Sequence, residues 1–382
     1  MSVKADSESS TGPKPTILVV DDEAGPRDAL KVILRPFYDI HLAESATAAL
    51  DVLSNHSIDL ITLDQKLPDR QGFDLLQDIK RTHADIEVII ITGYGSLKSA
   101  MEGIRQGAAG YLLKPFNVTE LITLINQTLQ KKQRLDFLRT FIQSTPELWG
   151  SEQDSARAWA TLQSSYRALG KPDGAEQPST QQTDDLLPLL SDMLEAKDRR
   201  LLNHCSRVSF YATLLANRLN LSAAEQKSLA MGAFLHDLGK ISLTPYRYCE
   251  DQILPSGEAA GCREHPEIGA RMILALGFPA DVGQIVNYHH EWWDGSGYPH
   301  GLQGEGIPLL AQVVGIAQIF DHLTADVPGR TPLSVDDAVQ QMARRAHRQF
   351  DPALISLFTQ VVHDCKASLP AMAIATAPSR HL

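Results

Sequence analysis

Cysteine is scarce in this sequence, with four residues in a chain of 382. They are Cys205, Cys249, Cys262 and Cys365, and no two of them form a CxxC pair. Scattered single cysteines give no sign of a disulfide framework. They are typical of reduced thiols in a cytosolic protein, which is the state we expect for all four.

The sequence also lacks an excess of positive charge. Lys and Arg number 35 against 46 Asp and Glu, which gives a formal net charge of −11. Affinity for a phosphate backbone comes from clustered Lys and Arg, so a nucleic-acid-binding function is disfavoured. No helix-turn-helix pattern for DNA is found either. A phosphate-bearing substrate is compatible with this charge, because a few bound metal cations supply positive charge locally.

Long apolar runs are absent as well. No segment reaches the roughly 20 apolar residues that a membrane-spanning helix needs. Residues 1–15 are polar and Ser-rich, without the apolar core of a signal peptide. We therefore expect a cytoplasmic protein with no membrane span.

The sequence does have enough hydrophobic content, 43% of 382 residues, for two or three folded domains. In its first part, short apolar runs alternate with stretches of helical spacing. The runs lie at residues 17–20, 60–63, 88–91 and 111–113, and an alternating stretch at 38–42 is the candidate for the second strand. This alternation predicts a doubly wound, five-stranded parallel sheet, an α/β domain with its function at the carboxyl ends of the strands.

From Leu186 onward, helical periodicity dominates and most of the histidines occur. This pattern predicts an all-α domain after the α/β domain. We expect a disordered tail at 1–15, the α/β domain at 16–130, a helical or flexible linker at 131–185, the helical domain at 186–362 and a second tail at 363–382.

Acidic residues follow two of the expected strands. Asp21 and Asp22 come after the first, and Asp64 follows the third. The carboxyl ends of parallel strands share one edge, so these carboxylates converge, and a shared Mg²⁺ would relieve their repulsion. Thr92 and Lys114 end two further strands on the same rim. A carboxylate beside Mg²⁺ and a lysine is placed to accept a phosphoryl group.

The motifs that carry these residues occur in order along the chain. They are Asp21-Asp22-Glu23, DQKLPDRQG from Asp64 to Gly72, Thr92-Gly93 and Lys114-Pro115-Phe116. Over about the first 130 residues, the chain resembles the response-regulator receiver family. The resemblance implies that Asp64 is the phosphoacceptor and that Mg²⁺ binds to Asp21 and Asp22. It also implies phosphoryl contacts from Thr92 and Lys114, an aromatic switch at Tyr111, and a cognate sensor histidine kinase as partner.

Histidines and one acidic residue form a second constellation in the helical part. They are His204, the pair His236-Asp237, His265 and the pair His289-His290. Imidazole nitrogens and carboxylate oxygens are the ligands of catalytic Fe, Mn or Zn. His236 and Lys240 stand one helical turn apart, so both are expected to face the same site.

These residues lie in motifs that resemble the HD-GYP family, a subgroup of the HD phosphohydrolases, over residues 186–357. The motifs are HCSRV at His204, LHDLGK at His236, EHPEIGARMI at His265, HHEWWDGSGYP at His289, GLQGEGIPLLAQVVGIAQIFDHLTA and a late FDP. The resemblance implies an all-helical fold and hydrolysis of cyclic di-GMP to the linear dinucleotide pGpG or to GMP. It also implies two divalent metals, Fe, Mn or similar.

The resemblance also implies roles for individual residues. The metal ligands would be His204, His236, Asp237, His265, His289 and His290. Asp237 would bridge the metals as part of the catalytic centre, and Lys240 would stabilise charge on the phosphoryl oxygens. The substrate would be held by Gly295, Gly297, Tyr298, Pro299 and Arg330.

The sequence departs from the family pattern at ligand positions. Gln318 stands where the family has an aspartate ligand, and it weakens the metal held by His204 and the HD pair. Asp321 is a candidate substitute. Arg200 stands where members with three metals have a glutamate, so two metals at most are expected.

Two basic substrate contacts of the family are also weakened. Where the family has Arg-Pro-Tyr-Arg after a Leu-Thr-Ser segment, this chain reads Val327-Pro-Gly-Arg330. Of the two arginines, it keeps only the last. The stretch from Tyr246 to Ala260 has no lysine.

We therefore hold three hypotheses open. The favoured one is a phosphorylation-controlled cyclic di-GMP phosphodiesterase. The alternative is a catalytically weak HD-GYP domain that acts as a nucleotide- or protein-binding relay, and a weaker option is hydrolysis of another phosphoester. GGDEF-type or other signalling proteins, and a second copy of the chain, are further partners compatible with this class.

Overall fold

The computed structural model describes residues 14–93, 97–145, 148, 152–169, 186–243, 260–326 and 330–365. It divides the chain into two compact units, Met1–Arg134 and Leu135–Leu382. The expected tails at 1–15 and 363–382 fall largely outside the described residues.

The first unit alternates strands and helices. Its elements are β1 Thr16–Val20, α1 Ala24–Leu34, β2 Asp39–Ala43, α2 Ala46–Asn55, β3 Leu60–Leu63, α3 Gly72–Thr82, β4 Glu87–Thr92, α4 Leu97–Arg105 and β5 Gly110–Leu113. Helix α5, Val118–Ser144, follows β5 and continues past the boundary between the units. The predicted five-stranded α/β sheet is confirmed.

All neighbouring strands pair in parallel, in the order β2-β1-β3-β4-β5. Successive side chains of β1 pack in different clusters. Ile17 and Val19 belong to one hydrophobic cluster, and Leu18 and Val20 belong to another. Since side chains alternate across a strand, both faces of the sheet are covered, which explains the continuous apolar runs of the sequence.

The second unit is helical in its described part. Its elements are α6 Glu152–Leu169, α7 Leu187–Lys197, α8 Arg199–Ala216, α9 Ala223–Leu235, α10 His265–Ala275, α11 Ala280–Tyr288, α12 Leu309–Thr324, α13 Val335–Ala343 and α14 Pro352–Cys365. Short 3₁₀ helices lie at Leu238–Ser242, Ala260–Glu264 and Gly304–Gly306. The predicted all-α domain is confirmed.

Two helices of this unit begin at capping side chains. The Asp198 carboxylate accepts from the Arg200 N–H at the start of α8. Ser222 and Glu225 form a reciprocal capping box at the start of α9. Each cap satisfies main-chain N–H groups that have no partner inside the helix, and so sets where the helix begins.

Part of the expected linker packs with the helical domain. Leu138 of α5 and Trp159 and Leu162 of α6 share a hydrophobic cluster with Met193 of α7 and Leu235 of α9. These linker residues therefore belong to the core of the second unit. The remainder of that linker, residues 170–185, lies outside the described residues.

The cysteines differ in state. Cys205 is free and buried, and Cys365 is free, as expected. Cys262 is disulfide-bonded, so the expectation of a reduced thiol is wrong there. Spacing along the chain carries no information on which sulfurs the fold brings together. Among the described residues, no helix is both long and apolar enough to cross a membrane.

Candidate functional sites

The first site is an acidic pocket at the carboxyl edge of the sheet. Asp21 and Asp22 follow β1, Asp64 follows β3, and carboxylate oxygens of all three lie within 4.8 Å of one another. Asp21 is buried, and the Lys114 ammonium lies 2.7 Å from its Oδ2 and 3.9 Å from Asp64 Oδ1. The structure therefore brings together the carboxylates and the lysine that the sequence singled out.

The environment of Asp64 favours its protonated form relative to a free carboxyl. Burial raises its pKa, Lys114 opposes this shift, and Asp21 adds to it. A divalent cation on the three carboxylates would remove this penalty, because it replaces like-charge repulsion by attraction.

The other expected residues of this pocket lie on the neighbouring strands. Thr92 is buried at the end of β4. The Tyr111 hydroxyl on β5 lies 3.1 Å from the Ser99 hydroxyl of α4.

Asp69 was not singled out by the sequence reasoning, although it lies within DQKLPDRQG. Its carboxylate accepts from the Ala46 and Thr47 N–H groups at 3.0 Å and 2.8 Å, and so caps α2.

The second site is a buried cluster of histidines around Asp237. Helix α8 supplies His204, His236 and Asp237 directly follow α9, α10 begins at His265, and His289-His290 follow α11. All of these side chains are at most 3% exposed. The structure thus brings together every ligand candidate that the sequence named in this domain.

The two carboxylate oxygens of Asp237 face different histidines. Oδ2 lies 3.6 Å from His204 Nε2 and 3.4 Å from His236 Nε2. Oδ1 lies 3.2 Å from His265 Nε2 and 3.9 Å from His289 Nε2. Two candidate metal groups result, one of His204, His236 and Asp237 and the other of Asp237, His265, His289 and His290.

One local device orients three of these rings. His236, His265 and His289 each donate their Nδ1–H to the carbonyl oxygen three residues earlier in the chain. His204 on α8 instead donates its Nδ1–H to the Asp321 carboxylate at 2.7 Å. Because a neutral imidazole carries one proton, each Nε2 is left with a lone pair that points into the cluster.

Lone pairs therefore face one another at short range. His204 Nε2 and His236 Nε2 lie 3.3 Å apart, as do His265 Nε2 and His289 Nε2. In addition, His290 Nε2 and Asp237 Oδ1 are buried and accept no hydrogen bond from any residue that the structure describes. Such an arrangement is unfavourable unless a cation lies between the groups, so these residues fit divalent metals.

Electrostatics keeps the ligands in their binding forms. Burial lowers the pKa values of His204 and His265, and it holds those of His289 and His290 well below the usual range. Burial would raise the pKa of Asp237, but the Lys240 ammonium and His236 outweigh it and hold that pKa well below its usual range. Neutral imidazoles and an ionised carboxylate are the forms that bind metal.

Lys240 reaches this cluster by a different geometry from the one expected. Helix α9 ends at Leu235, and Lys240 lies in the 3₁₀ helix Leu238–Ser242 rather than one turn further along α9. Its Nζ lies 2.7 Å from Asp237 Oδ2. The 3₁₀ helix packs closely against the start of α10, and this packing needs a glycine at position 239. A Cβ on Gly239 would lie 2.0 Å from the His265 carbonyl oxygen.

Asp321 is not a substitute metal ligand. Its carboxylate binds the Nδ1 side of His204, away from the cluster, and it also accepts from Arg207 at 2.5 and 3.0 Å. Arg207 lies one turn after His204 on α8, a spacing that could have indicated the pair in the sequence. The two residues orient a ligand, and neither replaces the missing carboxylate.

Gln318 is buried on α12, one turn before Asp321. Its Nε2 donates to the His289 carbonyl oxygen at 3.2 Å, and its buried Oε1 has no hydrogen-bond partner in the described part of the chain. Residues at this spacing share a helix face, so Gln318 lies on the side of α12 that faces the cluster. A neutral amide therefore stands at the position of the expected carboxylate.

The loop after His290 folds back onto that histidine. The Tyr298 N–H donates to the His290 carbonyl oxygen, and the two rings stack with centroids 4.5 Å apart at 17°. Gly295 has φ +83°, and a Cβ on Gly297 would lie 2.3 Å from the Trp292 nitrogen. Pro299 follows Tyr298 through a cis peptide bond.

Glu291 holds this loop closed, a role that the sequence reasoning missed. Its two carboxylate oxygens accept from the His300 and Leu302 N–H groups at 2.7 Å and 2.9 Å.

Arg330, expected to bind substrate, lies elsewhere, since its guanidinium donates to His322 of α12. In the described part of the chain, Arg330 makes no hydrogen bond or ion pair to the histidine cluster.

The acidic pocket belongs to an α/β domain and the histidine cluster to a helical unit, and each part separately matches a known domain family. Family models match the chain as "Response regulator receiver domain" at residues 17–126 and as "HD domain" at residues 188–354. The chain thus consists of a receiver domain joined to an HD domain.

Three similar proteins carry names of cyclic-dinucleotide enzymes. "Cyclic di-GMP phosphodiesterase response regulator RpfG" of Xanthomonas campestris is 28% identical over 89% of this chain and 85% of its own length. A "Probable cyclic di-GMP phosphodiesterase" of Vibrio cholerae is 28% identical over 90% of this chain and 77% of its own length. "3'3'-cGAMP-specific phosphodiesterase 3" of the same organism is 30% identical over 42% of this chain and 35% of its own length.

Proposed function

We propose that this protein is a phosphorylation-controlled phosphodiesterase whose HD domain hydrolyses cyclic di-GMP to pGpG or GMP at a centre of two divalent metals. The observation that carries the proposal is that the two carboxylate oxygens of Asp237 face different histidines. Oδ2 faces His204 and His236, whereas Oδ1 faces His265 and His289. A carboxylate with oxygens facing two separate ligand groups is suited to bridge two cations.

The ligand sets of the two metals would be unequal. One metal would be held by Asp237, His265, His289 and His290, which is the four-ligand group. The other would be held by His204, His236 and Asp237, the three-ligand group. The family resemblance assigns the missing aspartate, at the position of Gln318, to this group. When bound, such metals supply Lewis acidity to a phosphoryl oxygen and make water nucleophilic at neutral pH.

The chain's own residues would bind and orient the substrate. Lys240 is buried and lies 2.7 Å from Asp237, so its ammonium is close to any phosphoryl group bound there and would stabilise negative charge on its oxygens. The loop of Gly295, Gly297, Tyr298 and Pro299 covers His290 and would hold the nucleotide. Glu291 fixes the shape of that loop through two main-chain N–H groups.

The names of the relatives support a cyclic dinucleotide as the substrate class, because two of those reported match along most of this chain. One shorter match carries the name of a 3'3'-cGAMP phosphodiesterase. The choice between cyclic di-GMP and 3'3'-cGAMP therefore belongs in the test.

A relay without catalysis is the second candidate, and Gln318 is the observation that favours it. A neutral amide in place of a carboxylate weakens one of the two metal groups. If that group does not bind metal, the HD domain would retain a nucleotide-binding loop without turnover.

The deciding experiment uses the full-length protein loaded with Mn²⁺ or Fe²⁺. We expect metal binding together with turnover of cyclic di-GMP, and loss of turnover in His236→Ala. Stoichiometric metal without turnover of cyclic di-GMP or 3'3'-cGAMP would exclude the enzyme and favour the relay. Turnover of 3'3'-cGAMP alone would correct the substrate.

Control by phosphorylation rests on Asp64, which lies with Asp21 and Asp22 in the acidic pocket. A small phosphodonor with Mg²⁺ should modify the full-length protein but not Asp64→Asn, since the amide cannot accept a phosphoryl group as a nucleophile. Equal labelling of both proteins would exclude Asp64. A sensor kinase as donor, a cytoplasmic location and a homodimer are parts of the same proposal.

A further inference from the structure

Arg263 lies beside the histidine cluster and is not among the residues that the sequence pattern assigned. It belongs to the 3₁₀ helix Ala260–Glu264, which leads directly into His265 at the start of α10. The neighbouring Cys262 carbonyl oxygen accepts from His265 Nδ1. The backbone at Arg263 is therefore tied to the ring of a metal-ligand candidate.

The Arg263 side chain is directed by an aromatic ring. Its guanidinium carbon lies 5.4 Å from the centroid of the Tyr298 ring. Tyr298 in turn stacks on His290, with ring centroids 4.5 Å apart. A cation over an aromatic face is held in a defined position, and the N–H groups of the guanidinium remain available as hydrogen-bond donors.

The Arg263 guanidinium also has no carboxylate partner among the described residues. Within the described ranges it makes no ion pair and no hydrogen bond, and it is only partly exposed. Lys240, by contrast, is occupied by Asp237 at 2.7 Å. A partly buried arginine without a carboxylate partner is a candidate for binding an anion.

The proposed substrate carries two phosphodiester groups, each with one negative charge. The reacting phosphate would lie at Asp237 and Lys240. Arg263 contacts the Tyr298 ring, which in turn stacks on His290 of the cluster, so it is suited to the other phosphate. The segment between Tyr246 and Ala260 supplies no lysine for this purpose, and the arginine follows it by three residues.

We propose that Arg263, positioned by stacking on Tyr298, binds the non-reacting phosphodiester of the cyclic dinucleotide and so selects substrates with two phosphates. This inference rests on the proposed function. An interaction with the non-reacting group is equal in the ground state and the transition state, so its loss raises KM and leaves kcat unchanged.

The test compares two substrates on the full-length, metal-loaded protein. Cyclic di-GMP has two phosphodiesters, whereas bis(p-nitrophenyl) phosphate has one. In Arg263→Gln we expect the KM for cyclic di-GMP to rise about tenfold or more, as for loss of a charge-assisted hydrogen bond. The kcat, the metal content and the KM for bis(p-nitrophenyl) phosphate should stay the same.

Two further variants separate charge from structure. Arg263→Lys keeps the charge and should recover part of the lost affinity for cyclic di-GMP. Arg271→Gln, on an exposed residue of α10, is the matched control and should behave as wild type.

An unchanged KM for cyclic di-GMP in Arg263→Gln would overturn the proposal. Equal losses on both substrates would also overturn it, because they would assign Arg263 to the shape of the site. A wild-type protein that cleaves only bis(p-nitrophenyl) phosphate, and does not bind cyclic di-GMP, would instead refute the proposed function.

Discussion

His204 and Asp321 form a buried pair in which the ring Nδ1–H donates to the carboxylate across 2.7 Å. The pair determines which nitrogen of His204 faces the cluster, because a proton held on Nδ1 leaves the Nε2 lone pair free. Arg207 holds the carboxylate from its other side. A carboxylate behind a ligating histidine both orients the ring and raises its basicity.

Replacing Asp321 should therefore weaken metal binding without touching a ligand. In Asp321→Asn, we expect the affinity of the metal at His204 to fall about tenfold to a hundredfold, because the partner of Nδ1 loses its charge. Competition with a chromophoric chelator measures this affinity. Asp281→Asn, on an exposed residue of α11, is the control. Unchanged metal affinity in Asp321→Asn would show that the pair has no such role.

Restoring a carboxylate at position 318 should complete the weaker metal group. In Gln318→Asp, we expect the metal bound per chain to rise toward two, because an anionic ligand replaces a neutral amide where the family pattern has an aspartate ligand. Gln318→Asn has the same shape as the aspartate variant without its charge, and it should not raise the metal content. Elemental analysis after dialysis gives the ratio. Equal ratios in wild type and Gln318→Asp would contradict this account.

The loop over His290 requires glycine at position 297. In Gly297→Ala, the new Cβ would lie 2.3 Å from the Trp292 nitrogen and 2.5 Å from the His290 oxygen, both main-chain atoms. We expect a loss of stability of about 1–3 kcal/mol, the usual cost of overpacking, and displacement of Tyr298 from His290. Thermal unfolding measures the first effect. Gly306→Ala is the control, since no atom of the described residues lies within 4 Å of its added Cβ.

Asp69 should make the receiver domain sensitive to acid. The main-chain amides of Thr47 and Ala46 hold the pKa of Asp69 at about 2, below the ordinary 3.8. A carboxyl whose pKa is lowered by folding stabilises the fold above its unfolded pKa, and this contribution is lost as the pH falls toward about 2. Asp69→Asn should thus be less stable than wild type at pH 7, with a difference that shrinks below pH 4.

Urea unfolding of the full-length protein at a series of pH values tests this prediction. The transition is followed by a probe of the receiver domain. Asp51→Asn, on an exposed position of α2, provides the control. The difference in the free energy of unfolding between wild type and Asp69→Asn should shrink at low pH. A difference that stays constant from pH 7 to pH 2 would show that capping of α2 does not depend on the charge.

Much of the fold follows from local patterns in the sequence. The run from Ile17 to Val20 is apolar throughout because both faces of β1 are covered, and a strand buried on both faces has no polar side to show. The order of the motifs places Asp21, Asp22 and Asp64 at one edge because parallel strands end together. Helical periodicity likewise identifies the second unit.

The sequence by itself therefore determined the two domains, the acidic pocket and the identity of the histidine ligand candidates. It could not decide how Asp321 acts, because the contact with His204 joins residues 117 positions apart in the chain. Nor could it divide the oxygens of Asp237 between two groups of histidines or place Arg263 over Tyr298. Distances and ring orientations of this kind arise from how α8, α10 and α12 pack, and only the tertiary structure decides them.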